Sequence, residues 1–388
     1  METGEYMVDF SLTNDQTDLI NLAIKFVKNE ISPFSAKHDK ERTFPLDIYQ
    51  KLYELGLMNP RLPQDVSGAG LGLFDECLLT EEFGYGCTGI TSTMIGTSTA
   101  LDTIINYGSS EQKNKFLKPF TEKLMFASFC LTEPDYGSDI TSLTTSAKQE
   151  DNSYVINGSK KLITNAPYSN IFIVFATTDP SKKRHGITAF IVPKDTEGIS
   201  IGKELAKMGQ RASSSADVDF QNVKIPLENR IGKEGEGFII ALNTLNKTRV
   251  LIASAAIGLA RSAMDYSLDY SLKRVQFDQP IANFEAIQIK LANMTQDITA
   301  SRLLTWNAAM KLDKCEDASK ESTYAKCFAT DMAMKTAIEA VQIYGGYGYT
   351  KDYPIEKLMR DAKLLQIFGG VNEILKLNIA KSMIKSKK

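Results

Sequence analysis

Apolar residues recur at helical spacing from near the start of the chain. Leu19, Leu22, Ala23, Phe26, Val27 and Ile31 lie on one stripe, which predicts an amphipathic helix. Thr13-Asn14-Asp15-Gln16 stands just before it and has the form of a capping box. Further helical patterns run through Ile48–Leu55, Leu78–Phe83 and Met94–Ile105, and Ser109-Ser110-Glu111-Gln112 opens another that continues to Phe120. Gly68-Ala69-Gly70-Leu71-Gly72 is a glycine-rich loop between two of these. Residues 1–125 therefore read as all-α.

From Phe126 to Asn229 the pattern changes to short β-type runs: Tyr154–Ile156, Ile171–Phe175, Ile187–Val192 and Val218–Phe220. Asn157-Gly158, Asp179-Pro180 and Glu197-Gly198 punctuate them as turns. The runs are too closely spaced for βαβ crossovers, so residues 126–234 predict an antiparallel sandwich or barrel. No G-x-G-x-x-G follows a strand, which removes support for a Rossmann dinucleotide site. After Gly235-Glu236-Gly237 the helical pattern returns, in Phe238–Leu272, Phe284–Met310, Ser322–Gln342 and Leu364–Ile384. Residues 235–388 thus predict a bundle of four helices. The fold class is α+β, in the order α-domain, β-domain, α-bundle.

Composition adds exclusions. The chain has 388 residues, 43% hydrophobic and 24% charged, as in ordinary soluble domains. A formal charge of −2 gives no global field for nucleic acid or an anionic membrane. No apolar run is long enough to span a bilayer, and the acidic start Met1-Glu2-Thr3-Gly4-Glu5 lacks the features of a signal peptide. The expected location is cytoplasmic. Cys77, Cys87, Cys130, Cys315 and Cys327 are scattered without C-x-x-C spacing, so buried free thiols are expected rather than disulfides or zinc. His38 and His185 have no partner motif, and no metal site is expected.

Candidate chemistry concentrates in a few irregular stretches. Gln342–Tyr349 and Gln366–Ile374 each contain a glycine-rich break between helices. Glycine lets backbone approach a ligand, but two helix-terminating turns would look the same. Phe129–Asp139 is dense in turn formers and hydroxyls, suited to a polar planar ligand or to a plain turn. In Lys161–Ala166, Thr164 and Asn165 either present donors or end a strand. Arg274–Ile281 carries one cation on a Pro-bounded turn. Its guanidinium fork suits a pyrophosphate, and a surface interhelical turn is the alternative.

Taken together, these stretches resemble the acyl-CoA dehydrogenase family of flavoproteins, closely its medium- and short-chain members. Seven motifs carry the resemblance over essentially the whole chain: LTEP-x-x-GSD at Leu131–Asp139, ITN at Ile163–Asn165, MGQR at Met208–Arg211, KTR at Lys247–Arg249, R-x-x-F-x-x-PI at Arg274–Ile281, Q-x-x-GG-x-G at Gln342–Gly348 and RDAK at Arg360–Lys363. The resemblance implies FAD lying between the β-domain and the bundle, with its pyrophosphate and adenine partly gripped by a second subunit of a homodimer or homotetramer. Phe129, Leu131, Thr132, Gly137, Ser138, Leu162, Ile163, Thr164, Val371 and Asn372 would line the cofactor. Arg274, Gln276, Phe277, Gln342, Gly345 and Gly346 would hold it across the subunit interface. Ser138, Asn246, Arg249 and Gly370 would lie along the acyl-thioester substrate, carried on CoA or a carrier protein. The electron acceptor would be another flavoprotein or oxygen.

The resemblance also implies α,β-desaturation, in which a glutamate removes the α-proton and the β-hydrogen leaves as hydride. Here the glutamate's position is Gly369. Thr248 occupies the alternative base position, on the helix holding KTR, and Glu373 matches a downstream residue one turn away. Leu162 replaces an aromatic, Asn246 an acid, Glu285 a glutamine and Val371 a hydroxyl residue. The Gly369 N–H can still polarise a thioester carbonyl, since it needs no side chain. A positioned base is worth roughly 10²–10⁴-fold. The expectation is thus FAD-dependent oxidation of an acyl thioester, at Cα–Cβ or the adjacent β-carbon, without the usual glutamate. The alternatives are non-dehydrogenase chemistry such as desulfination, or a silent thioester- or flavin-binding protein.

Overall fold

A computed structural model describes residues 10–385; the acidic start Met1–Glu5 lies outside the described residues. The chain opens with α1 (Asn14–Phe26), whose Thr13–Gln16 capping box is formed in both directions. One wide turn, Val27–Ile31, carries it into α2 (Ser32–Glu41). Then come α3 (Leu46–Glu54), α4 (Leu73–Tyr107), α5 (Ser110–Phe116) and α6 (Pro119–Glu122).

The stretches 78–83 and 94–105, expected as separate helices, belong to the single 35-residue α4. Its helical geometry breaks only at Cys87, with φ −166° and ψ 108°. The linking residues Gly84-Tyr85-Gly86-Cys87-Thr88-Gly89 show no apolar stripe and read as a break. Their small size serves packing instead. A Cβ at Gly84 would overlap the backbone of Ala255, and one at Gly258 the backbone of Glu81 and Tyr85. Two long helices therefore cross backbone to backbone, an approach only glycine permits.

The β-region is one mixed sheet: β1 (Phe126–Cys130), β2 (Ser146–Glu150), β3 (Ser153–Thr164), β4 (Ser169–Thr177), β5 (Ile187–Pro193), β6 (Ile199–Ile201), β7 (Ser215–Pro226) and β8 (Arg230–Ile231). The order is β6-β7-β3-β2-β4-β5-β8. Most pairs are antiparallel, but β1 and, at one residue pair, β2 run parallel to β4, pairings that strand spacing alone does not reveal. In β4, Ile171, Ile173 and Phe175 face α4 and the next long helix, while Phe172, Val174 and Ala176 face the sheet's other core. Burial on both faces explains the unbroken apolar run.

The C-terminal region comprises α7 (Gly237–Lys273), the short hairpin β9 (Val275–Gln276) and β10 (Gln279–Pro280), α8 (Glu285–Asp313), α9 (Ser319–Tyr344), α10 (Ile355–Leu365) and α11 (Asn372–Lys385). The expected helix 364–384 is thus two helices. The chain turns between them because Gly369 and Gly370 adopt φ +67° and +101°, which a right-handed helix cannot contain. One hydrophobic core joins α4, α7, α8, α9 and α10, so the N-terminal helices and the bundle share a core although the β-region separates them in sequence. Cys77, Cys87, Cys130 and Cys327 are buried free thiols, but Cys315 is exposed, because it lies in the turn after α8 with φ +57°. Among the described residues no helix is long and apolar enough to cross a membrane.

Asp313, the last residue of α8, accepts the first N–H groups of α4, from Leu73 at 2.7 Å and Phe74 at 2.8 Å. It caps a helix 240 residues away in sequence. Asp313→Ala should cost about 1–2 kcal/mol, measured as a lower urea midpoint with unchanged slope. An unchanged midpoint would show that the cap does not bear on stability.

Candidate active site

After β1 the chain leaves the sheet as a loop, 131–139, whose shape is set from below. Lys160 on β3 is fully buried. Its ammonium donates to the Leu131 carbonyl at 3.1 Å and to Glu133 Oε1 at 2.8 Å. Glu133 also accepts the backbone N–H of Thr144 at 2.6 Å and of Thr145 at 2.9 Å. Burial by itself would raise the Glu133 pKa, but the Lys160 charge and these hydrogen bonds outweigh it and hold it at about 2. Phe129 packs on Phe175 with ring centroids 4.8 Å apart. Leu131 is buried and Thr132 half-buried, while Gly137 and Ser138 are exposed.

The β3 ladder to β7 shifts register between Lys160 and Ile163. There Leu162 takes φ +60° and is 66% exposed. Ile163 turns the other way, into the sheet core. Its side chain is therefore a core group. Thr164 is half-buried beside α4, where Gly96 lets the helix approach it. The Asn165 amide donates to the Thr93 carbonyl at 2.8 Å and to Thr97 Oγ1 at 3.1 Å. Its donors are spent on α4 rather than offered to a ligand.

On α7, Thr248 Oγ1 lies 3.0 Å from Thr99 Oγ1 of α4 and donates to the Thr244 carbonyl at 3.1 Å. Next to it Arg249 donates through Nη1 to Asn246 Oδ1 at 2.7 Å and through Nε to the Gly369 carbonyl at 3.3 Å. Burial lowers the Arg249 pKa to about 10. Among the described residues no carboxylate is bonded to it, because Asn246 stands where an acid was expected. Thr99 of α4 thus joins Thr248 of α7, and the next residue, Arg249, reaches the Gly369 carbonyl of the 366–371 turn.

That turn is held from α9. Lys326 is fully buried, and its ammonium donates to the carbonyls of Gly370 at 2.8 Å and Gln366 at 3.2 Å and to Asn372 Oδ1 at 2.7 Å. The Asn372 amide donates to Thr330 Oγ1 at 2.9 Å and Asp331 Oδ1 at 2.8 Å, and its N–H to the Gln366 carbonyl at 3.1 Å. Asn372 is accordingly a structural tie to α9. Val371 is half-buried and its carbonyl accepts the N–H of Leu375. The N–H groups of Gly369 and Gly370 make no hydrogen bond among the described residues. A Cβ on Gly369 would overlap Ile252 Cδ1, and Glu373 is exposed on α11.

Arg274, Gln276, Phe277, Gln342, Gly345 and Gly346 form a second, exposed group. The Arg274 guanidinium lies 5.6 Å from the centre of the Tyr347 ring. Phe277 is 87% exposed, Gln276 and Gln342 are exposed, and Gly345 and Gly346 open onto free space, the former with φ +57°. An open backbone, a cation and an uncovered ring suit an extended ligand bearing phosphates. Glu285 is exposed at the first turn of α8. The MGQR and RDAK motifs are a junction between β-region and bundle: Gln210 Nε2 donates to the Asp361 carbonyl at 3.1 Å, Lys357 pairs with Asp361 at 2.6 Å, and Arg360 pairs with Asp39 at 2.6 Å.

Motif reading missed Lys160, Lys326, Thr99 and Ile252. The two lysines did leave a signal. Lys160 continues the inward register of Tyr154 and Ile156 on β3, and Lys326 falls between Ser322 and Thr330 on the buried face of α9. Thr99 and Ile252 look like ordinary core positions.

Models of the acyl-CoA dehydrogenase N-terminal, middle and C-terminal domains match residues 13–123, 128–223 and 235–384. An acyl-CoA dehydrogenase of Bacillus subtilis (strain 168) is 40% identical over 374 residues, covering 96% of this chain and 99% of the relative. The structure of butyryl-CoA dehydrogenase from Megasphaera elsdenii superposes with a TM-score of 0.95 at 37% identity, covering 97% of this chain and 100% of the other. A prolyl acyl carrier protein oxidase superposes with a TM-score of 0.93 at 30% identity, covering 96% and 100%.

Glu133→Ala leaves the Lys160 ammonium buried and unpaired, and should cost about 3–5 kcal/mol by urea unfolding. The wild-type Glu133 contribution should be complete above roughly pH 4.3, the unperturbed glutamate value, and lost as the pH falls towards about 2. Glu133→Gln should lack that acid limb. An identical limb in the variant would assign it to other carboxylates.

Proposed function

This chain belongs to the acyl-CoA dehydrogenase family of FAD-dependent oxidoreductases acting on CH–CH groups, and we propose that it oxidises an acyl thioester without a glutamate base. The observation that carries this reading is the 369 position. The residue there is glycine, its backbone is left-handed, and Ile252 fills the space a side chain would need. Around the turn Arg249 bonds the Gly369 carbonyl and Lys326 the Gly370 carbonyl, and the carboxylate of Asp331 is taken up by Gln366, Asn372 and Lys376.

On this reading the thioester carbonyl lies against the unspent N–H groups of Gly369 and Gly370, which stabilise the enolate as it forms. Ser138, Asn246 and Arg249 lie along the acyl-pantetheine chain. Phe129, Leu131, Thr132, Gly137, Leu162, Thr164 and Val371 line the isoalloxazine and ribityl parts. Arg274, Gln276, Phe277, Gln342, Gly345 and Gly346 of a neighbouring copy hold the pyrophosphate, in a homodimer or homotetramer. FAD, when bound, supplies the acceptor for the β-hydrogen. The α-proton passes to solvent or to a group on the substrate, so substrates with a more acidic α-carbon, or with oxidation at a hydroxylated β-carbon, are favoured. Both CoA and a carrier protein remain suitable carriers, as the two solved relatives illustrate. Reoxidation falls to a second flavoprotein or to oxygen.

Anaerobic mixing of the FAD-loaded protein with CoA- and carrier-bound thioesters should bleach the visible flavin band. Simple saturated acyl-CoAs should react roughly 10²–10⁴-fold more slowly than with a relative that keeps its glutamate. No bleaching with any thioester would overturn the reading, and sulfite release from a sulfinylated acyl-CoA without bleaching would replace it with loss of a β-leaving group. Gly369→Glu alone should not restore butyryl-CoA oxidation, because the left-handed backbone costs about 1–3 kcal/mol and the Ile252 methyl must first move aside. Gly369→Glu with Ile252→Ala should gain it. A gain from the single change would show that the turn adapts freely.

A further inference from the structure

We propose that Lys326 is a positioning residue for the thioester carbonyl: its buried ammonium fixes the shape of the 366–372 turn and thereby the direction of the N–H groups that turn presents. The inference rests on the reading that the thioester lies on this turn. It begins from the turn's conformation. Two successive glycines with φ +67° and +101° have almost no intrinsic preference for that shape. Their N–H groups make no hydrogen bond among the described residues, while on either side Phe368 N–H bonds the Leu364 carbonyl and Asn372 N–H the Gln366 carbonyl.

The carbonyls are what is held. Lys326 takes Gln366 and Gly370, one near each end of the turn, and Arg249 takes Gly369. A peptide unit is planar, with N–H and C=O pointing in opposite directions. Fixing the Gly369 carbonyl therefore fixes the Gly370 N–H, and fixing the Gly370 carbonyl fixes the N–H of Val371. The unit that carries the Gly369 N–H lies between the Ile367–Phe368 unit, whose N–H donates to the Leu364 carbonyl, and the Gly369–Gly370 unit held by Arg249, so it loses its freedom as well. Lys326 also takes Asn372 Oδ1, so its three protons meet three acceptors and none of them is a carboxylate.

Such an arrangement opposes stability rather than serving it. Burial lowers the Lys326 pKa to about 8; nearby Arg249 adds to this, and Cys327, Asp331 and Glu373 pull the other way. Between pH 8 and the ordinary lysine value near 10.4 the unfolded chain binds more protons than the folded one, so this group's contribution to stability improves as pH rises. Over the same range the ammonium loses a proton and the turn loses a tether. A lysine kept only for stability would not show these opposite trends, and a buried cation without an anionic partner is costly to keep.

The test uses crotonyl-CoA bound to the FAD-loaded wild type, Lys326→Met and Lys326→Arg, with the thioester carbonyl stretch read by difference infrared spectroscopy. In wild type the stretch should fall below its solution value, and this shift should fade above pH 8. Lys326→Met should lose most of the shift and bind crotonyl-CoA roughly tenfold more weakly. Lys326→Arg should recover part of the shift and keep it beyond pH 9. A Lys326→Met protein with the wild-type stretch and affinity overturns the proposal. So does dehydrogenase activity lost in both variants and rescued in Lys326→Met by primary alkylamines in proportion to their basicity, which would make Lys326 the base. If Lys326→Met does not fold, the wild-type pH series decides, and a shift constant to pH 10 overturns the proposal. An unshifted carbonyl in wild type at neutral pH fails earlier, since it removes the thioester from the turn altogether.

Discussion

Two buried ammonium groups hold the irregular backbone on which the site depends. Lys160 ties the 131–133 segment to the sheet, and Lys326 ties the 366–372 turn to α9. Loop carbonyls buried between layers need donors, because an unpaired polar group there costs as much as a lost hydrogen bond. A lysine on a regular element can satisfy several at once. The two differ in charge balance. Lys160 has the Glu133 carboxylate as counter-ion, whereas Lys326 meets only carbonyl and amide oxygens. The first arrangement is a closed structural pair, and the second keeps an unbalanced charge beside the unspent N–H groups of Gly369 and Gly370.

The scaffold beneath these loops is rigid for a simple reason. Glycines at 84 and 258 let α4 and α7 cross in backbone contact, and their remaining faces share one core with α8, α9 and α10. The sheet packs its inner face on α4 and the first turns of α7. Hence α4 meets Thr164 of the β-region at Gly96 and Thr248 of α7 at Thr99, although 149 residues separate Thr99 from Thr248 in the chain. A site assembled from three elements requires that they cannot slide past each other.

Much of the organisation was legible along the chain. The change from helical to strand spacing near Phe126 and back near Gly237 marks where the elements change. The capping boxes at Thr13 and Ser109 are local hydrogen bonds between residues three apart, and both formed. Other features were not legible, because they depend on a distant partner. The glycines of α4 read as a break but serve a helix crossing. The apolar run 364–384 read as one helix, but the left-handed glycines divide it. The burial of Ile163 and the ties of Asn372 to α9 likewise follow from the register shift in β3 and from the polar groups of a distant helix.

The sequence by itself determined the class of elements, their order, the family and the paired glycines at 369 and 370, since these are properties of residue identity and local spacing. Only the tertiary structure decided what surrounds those glycines. Ile252 lies against Gly369, Arg249 and Lys326 grip the carbonyls of the turn, and the Gly369 and Gly370 N–H groups stay unspent. These are relations between α7, α9 and the 366–372 turn, set by how helices far apart in sequence pack, and no spacing within one segment encodes them.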